Sequence, residues 1–257
     1  SIIIAESIWA LQALPIEISA RIHCVIHDVA IDFFKEMFVS HNEVVRKILF
    51  FNDYLKLKIT EENIIKRLRV EQFIFLTEED KCWYKTRYNI DECCCSLASN
   101  HLYVEKIKRT INFQTPFLLI PGSIEFSQNF YGLNWFIKNI YPRLNREIRI
   151  VVTGKASDKK IKMLNCGEEI TFTGELDFYT YNQLSSTCLG VIAPITTGTG
   201  IKIKILEAVQ KGIPVLTTKF ASKGICSDLC FYCEEDTDTN FVNLINSFLE
   251  TTLRVQE

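Results

Sequence analysis

The residues with the clearest chemical potential lie late in the chain, in the sequence LGVIAPITTGTGIKIKILEAVQKGIPVLTT at residues 189–218. Gly198 and Gly200 stand one residue apart, between an apolar run typical of a strand and a pattern typical of a helix. Such a turn directs backbone N–H groups and the positive end of the following helix at one point, where an anion can bind. Lys204 adds a mobile positive charge, and Glu207, one helical turn later, adds a hydrogen-bond acceptor. A diphosphate joined to a ribose matches this set, with its phosphates at the turn and its sugar hydroxyls at the carboxylate.

The elements that must position this turn alternate regularly through the second half of the chain. Three apolar runs, FLLIPG (117–122), IRIVVTG (148–154) and ITFTG (170–174), each end in a glycine. Because the runs are apolar throughout and amphipathic helices separate them, they predict a parallel sheet covered on both faces. Their terminal glycines place backbone at the carboxyl edge, where such sheets bind ligands. The other predicted elements are helices over 129–140, 157–164 (capped by Ser157), 176–187 and 239–250, and a strand over 229–233.

The first half of the chain has the same alternating character but fewer strands. The charged stretch 99–116 ends in Thr115-Pro116 and separates the two halves. We therefore predict an α/β protein with an N-terminal domain over residues 1–112 and a C-terminal domain over residues 113–257. The chain opens inside an apolar run without an initiator Met, so the first domain is expected to be incomplete. Its predicted strands are SIIIAES (1–7), RIHCVIHD (21–28), QFIFLT (72–77) and ECCCSLA (92–98), and its predicted helices cover 41–58, 60–69 and 78–88.

Composition narrows the class of protein. The chain has 257 residues, of which 47% are hydrophobic and 23% charged, so it can bury a globular core. A net charge of −2 gives no general attraction to nucleic acid or to anionic lipid. No apolar run reaches the roughly 18 residues of a membrane span. The ten cysteines, three of them consecutive at 93–95, are typical of buried free thiols in a reducing cytoplasm.

The second half resembles the donor-binding domain of GT-B glycosyltransferases, most closely the retaining group that builds bacterial polysaccharides and lipid-linked glycans. PGSIEFSQN (121–129), followed by Trp135-Phe136, resembles the pattern that opens this domain. VVTGK (151–155) and FTGELDFYTY (172–181) resemble its next two strand ends, and residues 193–218 resemble its nucleotide-sugar segment. The resemblance implies a GT-B-like fold with two Rossmann-type domains built on parallel sheets, the N-terminal one incomplete.

The resemblance also implies roles for individual residues. Glu207 would bind the ribose of the donor, and Lys204 would contact its diphosphate. His27, with Asp28 beside it at a strand end, would lie next to the reacting sugar, so these four residues form the implied catalytic set. Donor contacts are further implied for Gly122, Ser123, Asn129, Glu175, Leu176, Gly198, Thr199, Gly200 and Ile201.

Three features depart from the family pattern. Many relatives carry two glutamates with seven residues between them, and the earlier position is Thr199 here. Many also have an Arg or Lys soon after the first strand of this domain, whereas the corresponding residues, SIEFSQN, contain none. The phosphate charge would then be met by Lys204, Lys202 and the helix terminus. The opening strand and glycine-rich loop of the first domain are not in this sequence.

The predicted activity is transfer of a hexose or related sugar from a nucleotide-diphosphate donor to a glycan or lipid-linked acceptor, with retention of configuration. No metal and no cofactor are expected, because a helix N-terminus and a lysine can stabilise the leaving diphosphate. Two alternatives stay open: a nucleotide-sugar epimerase on the same scaffold, and a non-catalytic nucleotide-sugar-binding module. The expected location is the cytoplasm, with peripheral contact at the inner face of the membrane, and nucleic acid is not an expected partner.

Each assignment has a simpler structural alternative. Lys204 and Glu207 lie three residues apart on one predicted helix, where an exposed ion pair is common. The remaining alternatives are a strand-end histidine beside a helix cap at His27-Asp28, a helix cap at Asn129, a solvated acid at Glu175, and core packing at Trp135 and Phe136.

Two further patterns stand outside this scheme. CSDLCFYC (226–233) has the cysteine spacing with which radical S-adenosylmethionine enzymes hold a four-iron cluster. Only residues 234–257 follow it, too few for the barrel of that class, so a buried final strand is favoured. Basic residues also gather in a helical region rich in large apolar residues, where a solvated face is favoured and contact with an anionic membrane is the alternative. They are Arg46, Lys47, Lys56, Lys58, Lys66, Arg67 and Arg69.

Overall fold

The computed structural model describes residues 1–15, 17–40, 43–98, 104–145 and 147–254, and the chain divides into two compact units. The first comprises residues 1–100 and 198–201, and the second comprises residues 101–197 and 202–257. Residues 107–112 belong to the second unit because their backbone hydrogen-bonds there, with Thr110 N donating to Ser186 O at 2.9 Å. The predicted boundary between residues 112 and 113 stays a prediction, and part of the predicted linker, 99–103, lies outside the described residues.

The first unit contains a parallel sheet with the strand order β1-β2-β3-β4 among the described residues. The strands are β1 (Ile2–Ala5), β2 (Arg21–Ile26), β3 (Val70–Phe75) and β4 (Cys95–Leu97), and the helices are α1 (Ala30–Ser40), α2 (Val44–Arg67) and α3 (Glu78–Tyr88). Helix α3 begins where the Thr77 side chain accepts a hydrogen bond from Asp80 N at 3.1 Å. Leu11, Cys24 and Phe75 have no solvent exposure and lie in the core of this unit.

The structure corrects the sequence interpretation at three places in this unit. The helices predicted over 41–58 and 60–69 are one helix, α2, because no glycine or proline interrupts the chain between them; residues 41–42 lie outside the described residues. Helix α1 was not predicted. The predicted strand 92–98 begins with a 3-10 turn at Glu92–Cys94, and only Cys95–Leu97 pairs with β3. None of the described helices is long and apolar enough to cross a membrane.

The second unit contains a parallel sheet with the described strand order β10-β9-β8-β5-β6-β7. Its strands are β5 (Phe117–Pro121), β6 (Arg149–Thr153), β7 (Ile170–Phe172), β8 (Gly190–Ala193), β9 (Val215–Thr217) and β10 (Cys230–Tyr232). Its helices are α4 (Ser127–Trp135), α5 (Asp158–Leu164), α6 (Phe178–Thr187), α7 (Ile203–Gln210), α8 (Lys219–Ser222) and α9 (Asp238–Arg254). Strands β5, β8 and β9 are buried along their whole length, as the unbroken apolar runs predicted.

The helix predicted over 129–140 is less regular than its pattern. Helix α4 ends at Trp135 and continues as a π-helical turn over Phe136–Ile140, followed by a 3-10 turn over Tyr141–Arg143. The predicted core packing is confirmed at Phe136, which is fully buried. Trp135 is partly buried: its ring stacks on Phe241 with centroids 5.3 Å apart, and its Nε1 donates to Asp238 Oδ1 at 2.8 Å.

Two local details also differ from the sequence interpretation. Ser157 stands at the cap of α5, but its side chain makes no capping hydrogen bond; its backbone N donates instead to Glu125 Oε1 at 2.8 Å. The short helix α8 was not predicted. It begins where the Thr218 side chain accepts from Ala221 N at 3.1 Å.

Candidate functional site

The order of strands in the second unit creates a crevice at one point. Strand β5 pairs with β6 on one side and with β8 on the other, so the chain winds outward from β5 in both directions. The loops that follow β5 and β8 therefore diverge at the carboxyl edge of the sheet, which is where open α/β sheets bind ligands. Gly122 directly follows β5 with φ 119°, and its N–H donates to Thr153 O at 3.0 Å.

Three predicted donor-site residues meet Gly122 at this crevice. Lys204 Nζ donates to Asn129 Oδ1 at 2.7 Å, and Asn129 Nδ2 donates to Ser123 O at 2.8 Å. A Cβ atom at Gly122 would lie 2.9 Å from Lys204 Nζ and 3.0 Å from Asn129 Nδ2. Asn129 is thus the third residue of α4 rather than its cap, and its side chain fixes the position of the lysine.

Two helices begin at this crevice without a side-chain cap. The capping positions are Phe126 for α4 and Lys202 for α7, and neither side chain accepts a hydrogen bond from the first turn. By contrast, Asp177 caps α6 by accepting from Thr180 N at 3.0 Å. The first-turn N–H groups of a helix have no partner within the helix. The ends of α4 and α7 can therefore offer backbone donors and positive dipole ends to an anion.

Burial makes the Lys204 ammonium easier to deprotonate. Burial of its ammonium, with a smaller contribution from the like charge of Lys202, lowers the pKa of Lys204 from 10.5 to about 8. Its described hydrogen bond goes to the neutral amide of Asn129. Among the described residues no carboxylate pairs with this partly buried cation, which suits the binding of an external anion.

We expect the affinity for a nucleoside diphosphate to fall as the pH rises through the Lys204 pKa. The ammonium is charged below about pH 8 and neutral above it, so between about pH 7 and pH 9 the affinity should drop about tenfold. Isothermal titration with a nucleoside diphosphate at both pH values measures this change. Lys204→Arg keeps its charge throughout, and an equal loss of affinity in that variant would contradict the assignment.

Glu207 is paired with a buried lysine. Lys211 Nζ donates to Glu207 Oε1 at 2.5 Å, and the Lys211 side chain is only 2% exposed. The Lys211 ammonium also lies 4.7 Å from the centroid of the Tyr181 ring, and burial raises the pKa of Tyr181 to about 12. The exposed ion pair between Lys204 and Glu207 is therefore not formed, since each side chain has another partner. Glu207 is 30% exposed, and its carboxylate accepts from Lys211 while still reachable from solvent.

Glu207→Ala is expected to lower the free energy of unfolding by about 1–2 kcal/mol, because it leaves the buried Lys211 ammonium unpaired. Glu207→Gln keeps an acceptor oxygen and should cost less than half as much. Urea denaturation of the two variants measures the difference. In the double variant Glu207→Ala/Lys211→Met much of the loss should be recovered, and strict additivity would contradict the pairing.

The glycine turn, residues 198–201, belongs to the first unit. Gly198 and Gly200 have φ 99° and 70°, and Gly198 is buried while Thr199, Gly200 and Ile201 are half-buried. A Cβ atom at Gly200 would lie 2.7 Å from His27 O and 2.9 Å from Asp28 Cβ. Residue 200 must therefore be glycine, because both its positive φ and this close approach disfavour a side chain.

His27 and Asp28 follow the carboxyl end of β2 in the first unit. His27 Nε2 lies 3.2 Å from Glu6 Oε2, beyond the end of the neighbouring strand β1. The histidine side chain is 51% exposed, so it can meet a ligand while the carboxylate holds its ring. The sequence interpretation assigned no role to Glu6. Its position directly after an apolar strand is the feature that could have indicated a site residue.

Glu175 and Leu176 lie in the loop between β7 and α6. Glu175 is exposed and Leu176 is half-buried, and Gly174, just before them, accepts a hydrogen bond from Gly154 N at 2.8 Å. Gly154 approaches the β5 loop so closely that a Cβ atom there would lie 2.6 Å from Ser123 N. Sequence reasoning found the glycines at these strand ends but not their mutual packing.

The cysteine run 226–233 does not build a metal site. Cys230 is buried on β10, whereas Cys226 is exposed and Cys233 half-buried. Within the described ranges no three His, Cys, Asp or Glu side chains come together as metal ligands. The favoured interpretation of this segment as a final strand is confirmed, at Cys230–Tyr232.

Comparison with known proteins gives the family and the fold. The model of the family described as glycosyl transferases group 1 matches residues 115–251. An uncharacterised 44.6 kDa protein in the cps region of Klebsiella pneumoniae is 21% identical over an aligned length of 220 residues, and the alignment covers 77% of this chain and 52% of that protein. This chain thus spans about half the length of that curated relative.

Solved structures resemble both units at low sequence identity. HepE of Anabaena, solved in complex with UDP and glucose, matches with a TM-score of 0.63 and 14% identity over 98% of this chain and 69% of its own. Sucrose-phosphate synthase of Thermosynechococcus elongatus matches with a TM-score of 0.69 and 12% identity over 98% of this chain and 65% of its own. The predicted GT-B-like fold is confirmed. Because the family model covers more than half of the 257 residues, the chain belongs to the glycosyl transferases group 1 family.

Proposed function

We propose that this chain contains the donor site of a glycosyltransferase that moves a sugar from a nucleotide-diphosphate donor to a glycan or lipid-linked acceptor. The observation that carries the proposal is the cluster of Lys204, Asn129 and Gly122 at the crevice between β5 and β8. Membership of the glycosyl transferases group 1 family supports the reaction class. The complex of HepE with UDP and glucose supports this class of donor for a protein of the same fold.

In the proposed reaction the bond between the anomeric carbon and the diphosphate oxygen breaks, and a bond to an acceptor oxygen forms on the same face. The acceptor proton passes to the departing phosphate, so no strong protein base is needed and configuration is retained. Lys204 and the uncapped ends of α4 and α7 stabilise the negative charge on the leaving diphosphate. This arrangement supports a mechanism without a metal ion.

The remaining site residues have positioning roles in this proposal. Glu207 accepts hydrogen bonds from the ribose hydroxyls, and backbone at residues 198–201 holds the donor sugar and phosphates. Glu175 and Leu176 lie near the nucleobase. His27, oriented by Glu6, contacts the reacting sugar next to Asp28.

The acceptor and the location are proposed from family and context. A relative in a cps region supports a role in polysaccharide biosynthesis. A lipid-linked acceptor would place the protein in the cytoplasm, at the inner face of the membrane.

Thermal unfolding in the presence of nucleoside diphosphates and their sugars tests the donor site. A ligand at 100 times its Kd stabilises a protein by about 2.7 kcal/mol, so one nucleotide class should raise the Tm by several degrees. Inorganic pyrophosphate at the same concentration is the control, since it lacks the nucleoside. If no nucleotide raises the Tm more than pyrophosphate does, the donor site is wrongly assigned.

Product analysis with the stabilising nucleotide sugar tests the reaction. A glycosyltransferase forms a new glycoside only when an acceptor is supplied. Release of an epimer without acceptor would instead identify an epimerase. Tight binding without turnover in the presence of a cps-type acceptor glycan would identify a binding module.

A further inference from the structure

Helices α1, α2 and α3 of the first unit enclose a cavity of about 650 Å³. This volume lies within the range of small-molecule sites, about 300–1,000 Å³. None of the described residues that line the cavity belongs to the catalytic or donor-site residues named above. The first unit therefore has a concave surface of its own that the proposed donor site does not use.

Helix α3 supplies most of the residues that line this cavity. Its five lining residues recur at intervals of three and four, which places them along one side of the helix. They are Glu79, Cys82, Trp83, Thr86 and Arg87. The residues that α3 buries in the unit are Asp80 and Tyr84. The side of α3 that faces the cavity is thus not the side that the helix buries.

Two aromatic side chains line the cavity, Trp83 from α3 and Tyr54 from α2. Trp83 is half-buried, and its ring lies 5.3 Å from that of Tyr84 and 6.0 Å from that of Tyr88, measured between centroids. The interplanar angles of 61° and 68° make both contacts edge-to-face. Since these contacts hold the indole before a ligand arrives, packing a ligand on it costs little side-chain entropy.

The described wall of the cavity carries two carboxylates and two cations. They are Asp32, Glu79, Lys35 and Arg87. Burial raises the pKa of Asp32, and Lys35, a hydrogen bond from Trp83 and the charge of Arg87 oppose that rise. Because the charges balance, the wall favours an uncharged ligand that both donates and accepts hydrogen bonds, and the carboxylates disfavour a phosphate.

We propose that this cavity binds a neutral sugar ring of the glycan acceptor, at a unit other than the one that receives the transferred sugar. A hydroxyl is both a donor and an acceptor of hydrogen bonds. The hydroxyls of the ring would donate to Asp32 and accept from Thr86 and Arg87. The C–H face of the ring would pack on the indole of Trp83. A sugar ring thus combines the apolar and the hydroxyl surfaces that this wall can bind.

The cavity lies close enough to His27 for one glycan to reach both. Asp32 follows His27 by five residues, so their Cα atoms are at most about 18 Å apart. Helix α3 begins after the carboxyl end of β3, and His27 follows the carboxyl end of the neighbouring parallel strand β2. The inference rests on the proposed function in this respect, because the sugar at His27 and the sugar in the cavity would belong to one acceptor.

Protection of Cys82 from alkylation tests the site without donor or turnover. Cys82 is exposed and lines the cavity, so a bound sugar should shield its thiol from N-ethylmaleimide. The probes are methyl glucoside, methyl galactoside and methyl mannoside, for which a Kd of about 1–10 mM is expected from their size. At about 50 mM, at least one of them should slow the labelling of Cys82 about fivefold or more. Mass spectrometry measures this rate, and Cys226, exposed in the second unit, should be labelled at an unchanged rate.

Two variants should remove the protection. Thr86→Trp fills the cavity from an exposed position, and Asp32→Asn removes the charge from a hydrogen-bond acceptor. Each should weaken binding of the sugar about tenfold. The matched controls are Thr251→Trp on α9 and Asp158→Asn on α5, at exposed positions, and they should leave the protection unchanged. Circular dichroism checks that each variant is folded.

Transfer assays test whether the bound sugar belongs to the acceptor. Thr86→Trp should raise KM for the glycan acceptor about tenfold and leave kcat unchanged, because the reacting groups lie elsewhere. Labelling of Cys82 that no probe slows, or protection that survives both variants, would overturn the site. An unchanged KM in Thr86→Trp would overturn its assignment to the acceptor. Protection of Cys82 in a protein that transfers no sugar would support the site and count against the proposed reaction alone.

Discussion

Lys204→Ala is expected to lower kcat/KM for sugar transfer by about 10²- to 10³-fold, the cost of removing one preorganised donor from a site of developing charge. The lysine is held at the crevice by its 2.7 Å hydrogen bond to Asn129, next to the backbone of Gly122. Neither Phe126 nor Lys202 caps the adjoining helix, and the segment SIEFSQN contains no other cation. Steady-state kinetics with the stabilising donor and a fixed acceptor measure the loss.

The same substitution should not harm the free protein. Because burial lowers the pKa of Lys204, the folded state holds its proton less tightly than the unfolded state does. The buried charge therefore lowers the free energy of unfolding at neutral pH. This loss of stability disappears as the pH rises from about 8, the pKa of Lys204 in the folded protein, toward 10.5, its pKa in the unfolded chain. An alanine that abolishes transfer while leaving the Tm unchanged or raised separates a functional role from a structural one. Lys162→Ala, at an exposed position on α5, is the matched control, and an equal loss of activity there would contradict the assignment.

The alternation of elements in the second unit could be predicted because it depends on local sequence. Strands such as β5 are apolar at every position, and strand-end glycines such as Gly122 and Gly154 mark turns with positive φ. The irregular end of α4 could not be predicted, since its apolar pattern runs on through residues 136–140. Periodicity records which face is buried and does not fix whether the backbone stays α-helical.

The partners of the site residues were harder to predict than the residues themselves. Spacing on one helix favoured an ion pair between Lys204 and Glu207, but Lys211 stands four residues after Glu207, in the order that gives the better pair. The partner of Lys204 is Asn129, 75 residues away in the chain. Contacts of this kind depend on the order of strands in the sheet. That β8 pairs with β5 rather than with β7 cannot be predicted from any single segment of the sequence.

The solvent exposure of the apolar side chains on α2 could not be predicted from the sequence either. The sequence shows the basic residues of this region, and they favoured the interpretation that a charged helix face is exposed to solvent. The structure turns large apolar side chains, rather than the charges alone, toward solvent.

Gly132→Ala is expected to lower the free energy of unfolding by about 3 kcal/mol, because the added methyl group overpacks a rigid contact. A Cβ atom at this buried position of α4 would lie 2.1 Å from Pro194 O, a backbone atom at the end of β8 that cannot rotate away. Relief requires α4 and the β8 loop to separate. Since Asn129 lies three residues earlier on the same helix, such a shift should also weaken its hydrogen bond to Lys204.

Urea denaturation measures the free energy of unfolding of Gly132→Ala, and titration with a nucleotide measures its affinity at the crevice. Gly212→Ala serves as the matched control, because φ there is 83° but no atom lies within 4 Å of the added Cβ. It should cost about 1 kcal/mol through backbone strain alone and leave nucleotide affinity unchanged. Equal losses in the two variants would show that α4 yields easily at Pro194. The close approach of α4 to β8 would then not be what holds Asn129 and Lys204 at hydrogen-bond distance.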